Sequence, residues 1–164
     1  EWASLPIGVV SVAERYGGIE VSRELFEQMV RDCTQALDPF ANKAAAARDT
    51  KGFHLLGTSG TVTTVAGIHL DLPRYDRREV DGLWMHQRDI LTVIDRLIEM
   101  DYAARAANAC IGRERADLVL AGCAIFEAIR RAFPSERVRI ADRGLREGIL
   151  LRMMHEDRAW WRRK

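Results

Sequence analysis

Gly57-Thr58-Ser59-Gly60-Thr61 places two glycines among three hydroxyl residues, just after the short apolar run of Phe53, Leu55 and Leu56. A strand that ends in a glycine turn and opens a helix near Ser59 presents free backbone N–H groups and the positive end of a helix dipole. That arrangement receives phosphate. Glycine lets the backbone approach a ligand, while Thr58, Ser59 and Thr61 either cap the helix or hydrogen-bond an anion. A plain strand-to-helix cap uses the same residues, and the turn alone leaves both readings standing. A second turn of this kind is Asp142-Arg143-Gly144-Leu145-Arg146-Glu147-Gly148. In an open parallel sheet, turns at the carboxyl ends of the strands gather at one edge and form the ligand crevice. Arg113-Glu114-Arg115-Ala116-Asp117 opens a long apolar segment. Two arginines in a first helical turn oppose the dipole, so they either face an anion or are merely solvated. From spacing alone, solvation is the default.

Other chemistries find no support in the spacing. GxxxxGK[ST] and GxGxxG are both absent, which removes the P-loop and the dinucleotide fingerprint. The four histidines (54, 69, 86, 155) form no HExxH, and Cys33, Cys110 and Cys123 form no CxxC, so no metal ligands are assigned. Asp71, Asp76 and Asp81 are spaced unlike a calcium loop and read as solvated. The thiols read as reduced and semi-buried, in a cytoplasmic protein. The net charge of +1 recruits neither nucleic acid nor an anionic membrane, and no apolar run spans a bilayer. Trp160-Trp161-Arg162-Arg163-Lys164 is an aromatic-basic end, read as packing on the last helix or on a partner subunit rather than on nucleic acid.

The elements that must position these turns follow from periodicity. At 164 residues, 48% hydrophobic and 30% charged, the chain suits one globular domain or a large part of one. Residues 4–13, rich in valine, predict a first strand. A helix opens at Ser22 with Leu25, Phe26, Met29, Val30, Cys33 and Leu37 on one face, is interrupted or kinked at Pro39, and resumes over 44–47. Residues 53–57 predict a strand and 60–69 a helix. Residues 70–86 are a polar connection or short helices. Helices follow over 87–100 and 101–109. The longest runs from 113 to 133, buried in its middle and ended by Pro134. A strand at 137–141 and a helix at 145–154 complete a β-α-β-α-α-α-β-α order, an α/β domain. The chain begins at Glu1 directly before a strand-like run, which suggests a fragment.

Taken in order, Ser4-Leu5-Pro6-Ile7-Gly8-Val9-Val10, Gly57-Thr58-Ser59-Gly60-Thr61, Glu114-Arg115-Ala116-Asp117 with Ala121-Gly122, and Asp142-x-Gly144-Leu145-Arg146-Glu147-Gly148 resemble one known pattern. It is the second domain of the exopolyphosphatase/guanosine pentaphosphate phosphohydrolase (Ppx/GppA) family. Tyr75-Asp76 and Val80-Asp81-Gly82-Leu83 resemble its connecting segment, although His is commoner than Asp81 there, and Ala141 stands where serine is frequent. The resemblance spans nearly the whole chain. It implies an α/β fold, part of the second domain of an actin-like (ribonuclease-H-like) ATPase fold, with central strands and the first domain missing. It further implies Mg²⁺-dependent release of terminal phosphate from inorganic polyphosphate or guanosine pentaphosphate, with the Mg²⁺ ligands mainly in the missing region. Gly57, Thr58, Ser59, Gly60, Thr61, Arg115, Arg143 and Gly144 are then the expected phosphate contacts, and no catalytic residue is expected in this chain.

The family's catalytic glutamate and first phosphate loop lie in its first domain, and its second loop, Asp-x-Gly-Gly-Gly-Ser, precedes the segment matching Ser4–Val10. None of the three occurs here. The expectation is therefore an inactive C-terminal lobe whose native protein extends upstream, partnered by its own N-terminal lobe and able to form a homodimer. Strands 4–12 and 53–57 are then not direct neighbours, because the missing hairpin lies between them. A non-catalytic sensor of guanosine tetra- or pentaphosphate is the alternative. The nucleotide-binding lobe of a sugar or acetate kinase is a third reading, against which the ordered motifs speak.

Overall fold

The computed structural model describes residues 1–48 and 50–157. Trp160–Lys164, read above as an aromatic-basic end, lies outside the described residues. In chain order the elements are α1 (Val9–Tyr16), α2 (Arg23–Lys43), α3 (Ala45–Arg48), β1 (Leu55–Gly57), α4 (Gly60–His69), α5 (Arg77–Val80), β2 (Trp84–His86), α6 (Gln87–Glu99), α7 (Tyr102–Ala107), a 3₁₀ turn (Arg113–Arg115), α8 (Val119–Ala132), β3 (Arg137–Ile140) and α9 (Leu145–Glu156). The result is an α/β fold dominated by helices, with one small sheet in the order β1-β3-β2. β1 and β3 run parallel, Leu55 opposite Val138 and Gly57 opposite Ile140. β2 runs antiparallel to β3.

The strand expected over 4–13 does not form. Its second half is α1, in which Val12 and Ala13 are buried while Val10 is exposed. Val9, Val12, Ala13 and Tyr16 recur at helical spacing and pack on the core, so tertiary packing overrides the β preference of valine. The Ser11 hydroxyl holds the helix start, accepting from the Gly8 N–H at 3.1 Å and donating to the Gly8 carbonyl at 3.0 Å. With no strand at 4–12, the question of its pairing with 53–57 does not arise.

α2 starts where its cap predicts, with Ser22 Oγ accepting from the Leu25 N–H at 3.2 Å. It then runs through Pro39 to Lys43 without interruption. Proline removes one ladder bond, but the apolar face from Phe26 to Ala41 packs along α8 on both sides of it. The helix expected to begin at 113 begins at Val119 instead, behind the 3₁₀ turn, and α2 rather than α8 is the longest helix. Within α8, Leu120, Ala121, Cys123 and Ala124 are buried, as its all-round apolar composition requires. The polar connection contains a strand that periodicity misses: β2 is three residues long, pinned by the buried Met85.

α4 packs on one face of the sheet, where Val138 and Ile140 are buried. The opposite face carries Leu56, exposed, and Trp84, with the Arg137 and Arg139 guanidinium carbons 4.9 and 5.1 Å from the centre of its ring. Among the described residues no helix is long and apolar enough to cross a membrane.

Cys33, Cys110 and Cys123 are free and buried. Burial pushes the Cys123 thiol up to about 12, so almost no thiolate forms near neutral pH. Iodoacetamide at pH 8 should therefore label none of the three in the native protein and all three in denaturant. Rapid native labelling of Cys123 would contradict the packing around α8.

Candidate functional site

Because β1 and β3 are parallel neighbours, their carboxyl ends leave the sheet at the same edge. The two glycine turns of the sequence, 57–60 and 141–144, meet there. The Ala141 N–H donates to the Gly57 carbonyl at 2.9 Å, extending the ladder one step past the strands. A Cβ placed on Gly144 would stand 4.0 Å from Thr58 Oγ1, so the turns lie side by side. One opens α4 and the other α9, which brings the amino termini of two helices to one cleft of about 720 Å³.

Each expected contact has a definite place. Ser59 caps α4, accepting from the Val62 N–H at 3.2 Å. Thr61 packs against Gly122 of α8, where a Cβ would come within 2.2 Å of its Oγ1. Thr58, Gly60 and Gly144 line the cleft. Arg115, on the 3₁₀ turn, reaches over the start of α4, its Nη1 3.6 Å from where a Gly60 Cβ would stand. It is exposed and has no carboxylate partner among the described residues, unlike Arg77 and Arg143. Arg143 turns away to Asp81, at 3.6 Å. Asp81 is thus not merely solvated: it also accepts from the Asp142 N–H at 3.0 Å. Asp76 caps α5 through the Arg78 N–H at 2.9 Å, and Asp71 lies 3.8 Å from Arg96.

Several cleft residues escape sequence reasoning. Arg77 donates to Asp142 at 2.5 Å, and that bond, with the carboxylate charge, raises the arginine further above its ordinary value. Glu147 accepts from the Gly144 N–H at 2.9 Å, which lowers its carboxyl below the usual range. It completes a capping-box bond back to the start of its own helix. The Tyr75 hydroxyl is buried beside Thr63 and Asp142 with no hydrogen bond of good geometry, and burial pushes its pKa up. Arg77 and Tyr75 sit in a segment without periodicity, where only the Tyr75-Asp76 motif gave a signal.

Beyond Gly60 and Arg115 a second cavity of about 220 Å³ opens, walled by Val9, Thr61, Thr64, Leu118 and Val119. Arg115 therefore borders both a polar and an apolar space. The donor set does not suit a resident divalent ion: among the described residues no three His, Cys, Asp or Glu side chains group to hold a metal. The two cleft carboxylates, Asp142 and Glu147, are each already engaged. Hard cations take six or more oxygen ligands, and no step through Mg²⁺ follows from these residues.

What the geometry defines is an α/β fold with a polar cleft at the carboxyl edge of its parallel strands. The sequence profile of the Ppx/GppA phosphatase family matches residues 1–157, and the chain belongs to that family. The solved structures agree. An Aquifex aeolicus Ppx/GppA family member superposes with a TM-score of 0.80 at 24% identity, over 96% of this chain and 49% of that one. A second structure of the Aquifex aeolicus enzyme gives 0.78 at 26% identity, over 92% and 48%. An exopolyphosphatase from Cytophaga hutchinsonii gives 0.80 at 20% identity, over 94% and 50%. The chain thus spans about half the length of the solved structures it matches. No curated protein gives a significant match.

Proposed function

We propose that residues 1–164 are the C-terminal, phosphate-cleft lobe of a two-lobed phosphohydrolase with the actin-like (ribonuclease-H-like) architecture. The full protein releases terminal phosphate from inorganic polyphosphate or guanosine pentaphosphate in the cytoplasm, and this lobe alone is inactive. The observation that carries the reading is Arg115: a guanidinium without a carboxylate partner among the described residues, held over Gly60 beside two converging helix starts. Arginine presents a planar fork of donors suited to phosphate oxygens. Thr58 and the Gly60 backbone lie beside it in the cleft, and the Cytophaga hutchinsonii relative is an exopolyphosphatase.

In this reading the lobe binds and orients the phosphate chain, and Arg115 offsets charge on the oxygens being transferred. Arg77 stays with Asp142 and shapes the wall. The water-activating carboxylate and the Mg²⁺ ligands come from the other lobe; bound there, Mg²⁺ would neutralise phosphate charge. The engagement of both cleft carboxylates favours a second reading, a non-catalytic sensor of guanosine tetra- or pentaphosphate, since no free base remains on this side.

Phosphate release by the full gene product, with each substrate and with or without Mg²⁺, decides between them. The expected result is Mg²⁺-dependent release, with Arg115→Ala lowering kcat/KM about 10- to 100-fold, the value of a lost charge-assisted hydrogen bond. Tight binding of guanosine pentaphosphate with no release from either substrate would instead establish the sensor.

A further inference from the structure

Among the described residues the largest fully buried side chain is an arginine. Arg105, on α7, is 1% exposed. Its guanidinium donates to main-chain carbonyls alone: Nε to Ala116 at 3.1 Å, Nη1 to Met100 at 2.6 Å, and Nη2 to Gly18 at 3.1 Å and Ile19 at 2.6 Å. A buried charge held by neutral oxygens is costly. Burial draws its pKa below the ordinary arginine value, yet a guanidinium keeps its proton in a protein. An apolar side chain would fill the space without that cost. What the planar fork adds is a fixed set of donors pointing to separate segments at once.

Those segments meet behind the cleft. Gly18 and Ile19 lie in the loop between α1 and α2, Met100 ends α6, and Ala116 follows the 3₁₀ turn Arg113–Arg115. The first and last also touch, since a Cβ on Gly18 would stand 1.7 Å from the Asp117 carbonyl oxygen. The carbonyl held by Arg105 Nε therefore belongs to the residue next to Arg115. Upstream, the same stretch is tied down at Gly112, whose N–H donates to the Asn108 carbonyl at 3.0 Å. It is tied to α4 as well, through the Thr64 hydroxyl on the Cys110 carbonyl at 3.4 Å. The Arg115 side chain is exposed, so its place over Gly60 depends on the backbone beneath it.

We infer that Arg105 is a positioning residue, which fixes the 3₁₀ turn so that Arg115 stands over the start of α4 and thereby sets how tightly the cleft holds a phosphate chain. Arg105 itself lies outside the cleft wall. This role rests on the reading of Arg115 as a phosphate contact and adds that the contact depends on a residue no ligand touches. An arginine that only stabilised the fold would leave the affinity of the folded protein unchanged. Linkage also runs the other way: if the clamp favours the binding form of the turn, a bound phosphate chain favours the clamp.

The experiment is tripolyphosphate calorimetry on the full gene product carrying this sequence, with Arg105→Lys, Arg115→Ala and the two combined. Lysine keeps the charge, but its three donors radiate from one atom and cannot reproduce the fork. Arg115→Ala is expected to weaken binding at least about tenfold, and Arg105→Lys about 5- to 10-fold. Adding Arg105→Lys to Arg115→Ala should weaken it by less than about twofold more, because no guanidinium remains to be misplaced. Protected α8 amides report that each variant is folded. Unchanged affinity in Arg105→Lys, or an equal loss in both backgrounds, would overturn the inference and leave the Arg115 reading standing. No loss in Arg115→Ala would overturn both. A second measurement needs no variant: saturating tripolyphosphate should slow hydrogen exchange at the Arg105 Nε–H about 5- to 10-fold, by the same coupling. An unchanged rate there would also overturn the inference.

Discussion

Glu127→Ala is expected to cost about 3–5 kcal/mol of folding stability, the scale for removing one partner of a buried ion pair. Glu127 and Arg130, one turn apart on α8, have side chains only 6% and 4% exposed and are hydrogen-bonded to each other. Glu127 also accepts from Arg131 Nε at 2.8 Å, and Arg131 reaches Glu27 of α2 through both terminal nitrogens, each at 2.8 Å. Burial lowers the Arg130 pKa, but a guanidinium does not shed its proton in a protein, so its charge must be matched. Alanine at 127 leaves that charge unpaired between α8 and its neighbours. The urea midpoint should fall accordingly. Adding Arg130→Met should recover most of the loss, because a well-packed apolar pair often equals a buried ionic one. A single variant within 1 kcal/mol of the unaltered protein, or a double variant worse than the single, would refute this account.

Gly122→Ala carries the second large effect, and it reaches the cleft. A Cβ at 122 would stand 2.2 Å from Thr61 Oγ1, 3.0 Å from its Cγ2 and 3.1 Å from its Cβ. Rotating the threonine cannot clear all three, so the start of α4 must move off α8. Overpacking of this kind costs about 1–3 kcal/mol. Because Gly60 and Thr61 open α4, the same displacement disturbs the backbone beneath Arg115. Tripolyphosphate affinity, measured by calorimetry on the full gene product, should drop about tenfold, a shift of roughly 1.4 kcal/mol. Thr61→Ala removes two of the three clashing atoms and should restore part of both losses. Unchanged stability and affinity in Gly122→Ala would show that α4 does not lean on α8 as described.

The sequence was most legible where periodicity and capping agree. Ser22 with its apolar stripe, Ser59 after the glycine turn, and the broad apolar face of 87–99 each marked a helix within a residue or two. The strand at 53–57 and the one at 137–141 were visible as short runs between turn signals, and their parallel pairing explains why two distant glycine turns share one cleft. Residues 4–13 misled because valine favours strands locally, whereas burial against the helical core decides. β2 and the Arg77–Asp142 pair stayed hidden for a different reason. Three residues show no period, and an ion pair between positions in unrelated segments leaves no mark on either. Arg115 stood out only through its ordered companions; on spacing alone it read as solvated.

The pairing of Leu55 with Val138 has a consequence for how the protein is made. The first glycine turn leaves the ribosome well before the strand that must lie beside it. Contacts so distant in sequence form slowly, since the loop between them must close first. Until β3 arrives, β1 waits without the neighbour that aligns Gly57 with Ala141. The cleft therefore forms only after β1 and β3 have paired. In a refolding experiment α4 and α6 should acquire protected amides before Leu55–Gly57 does.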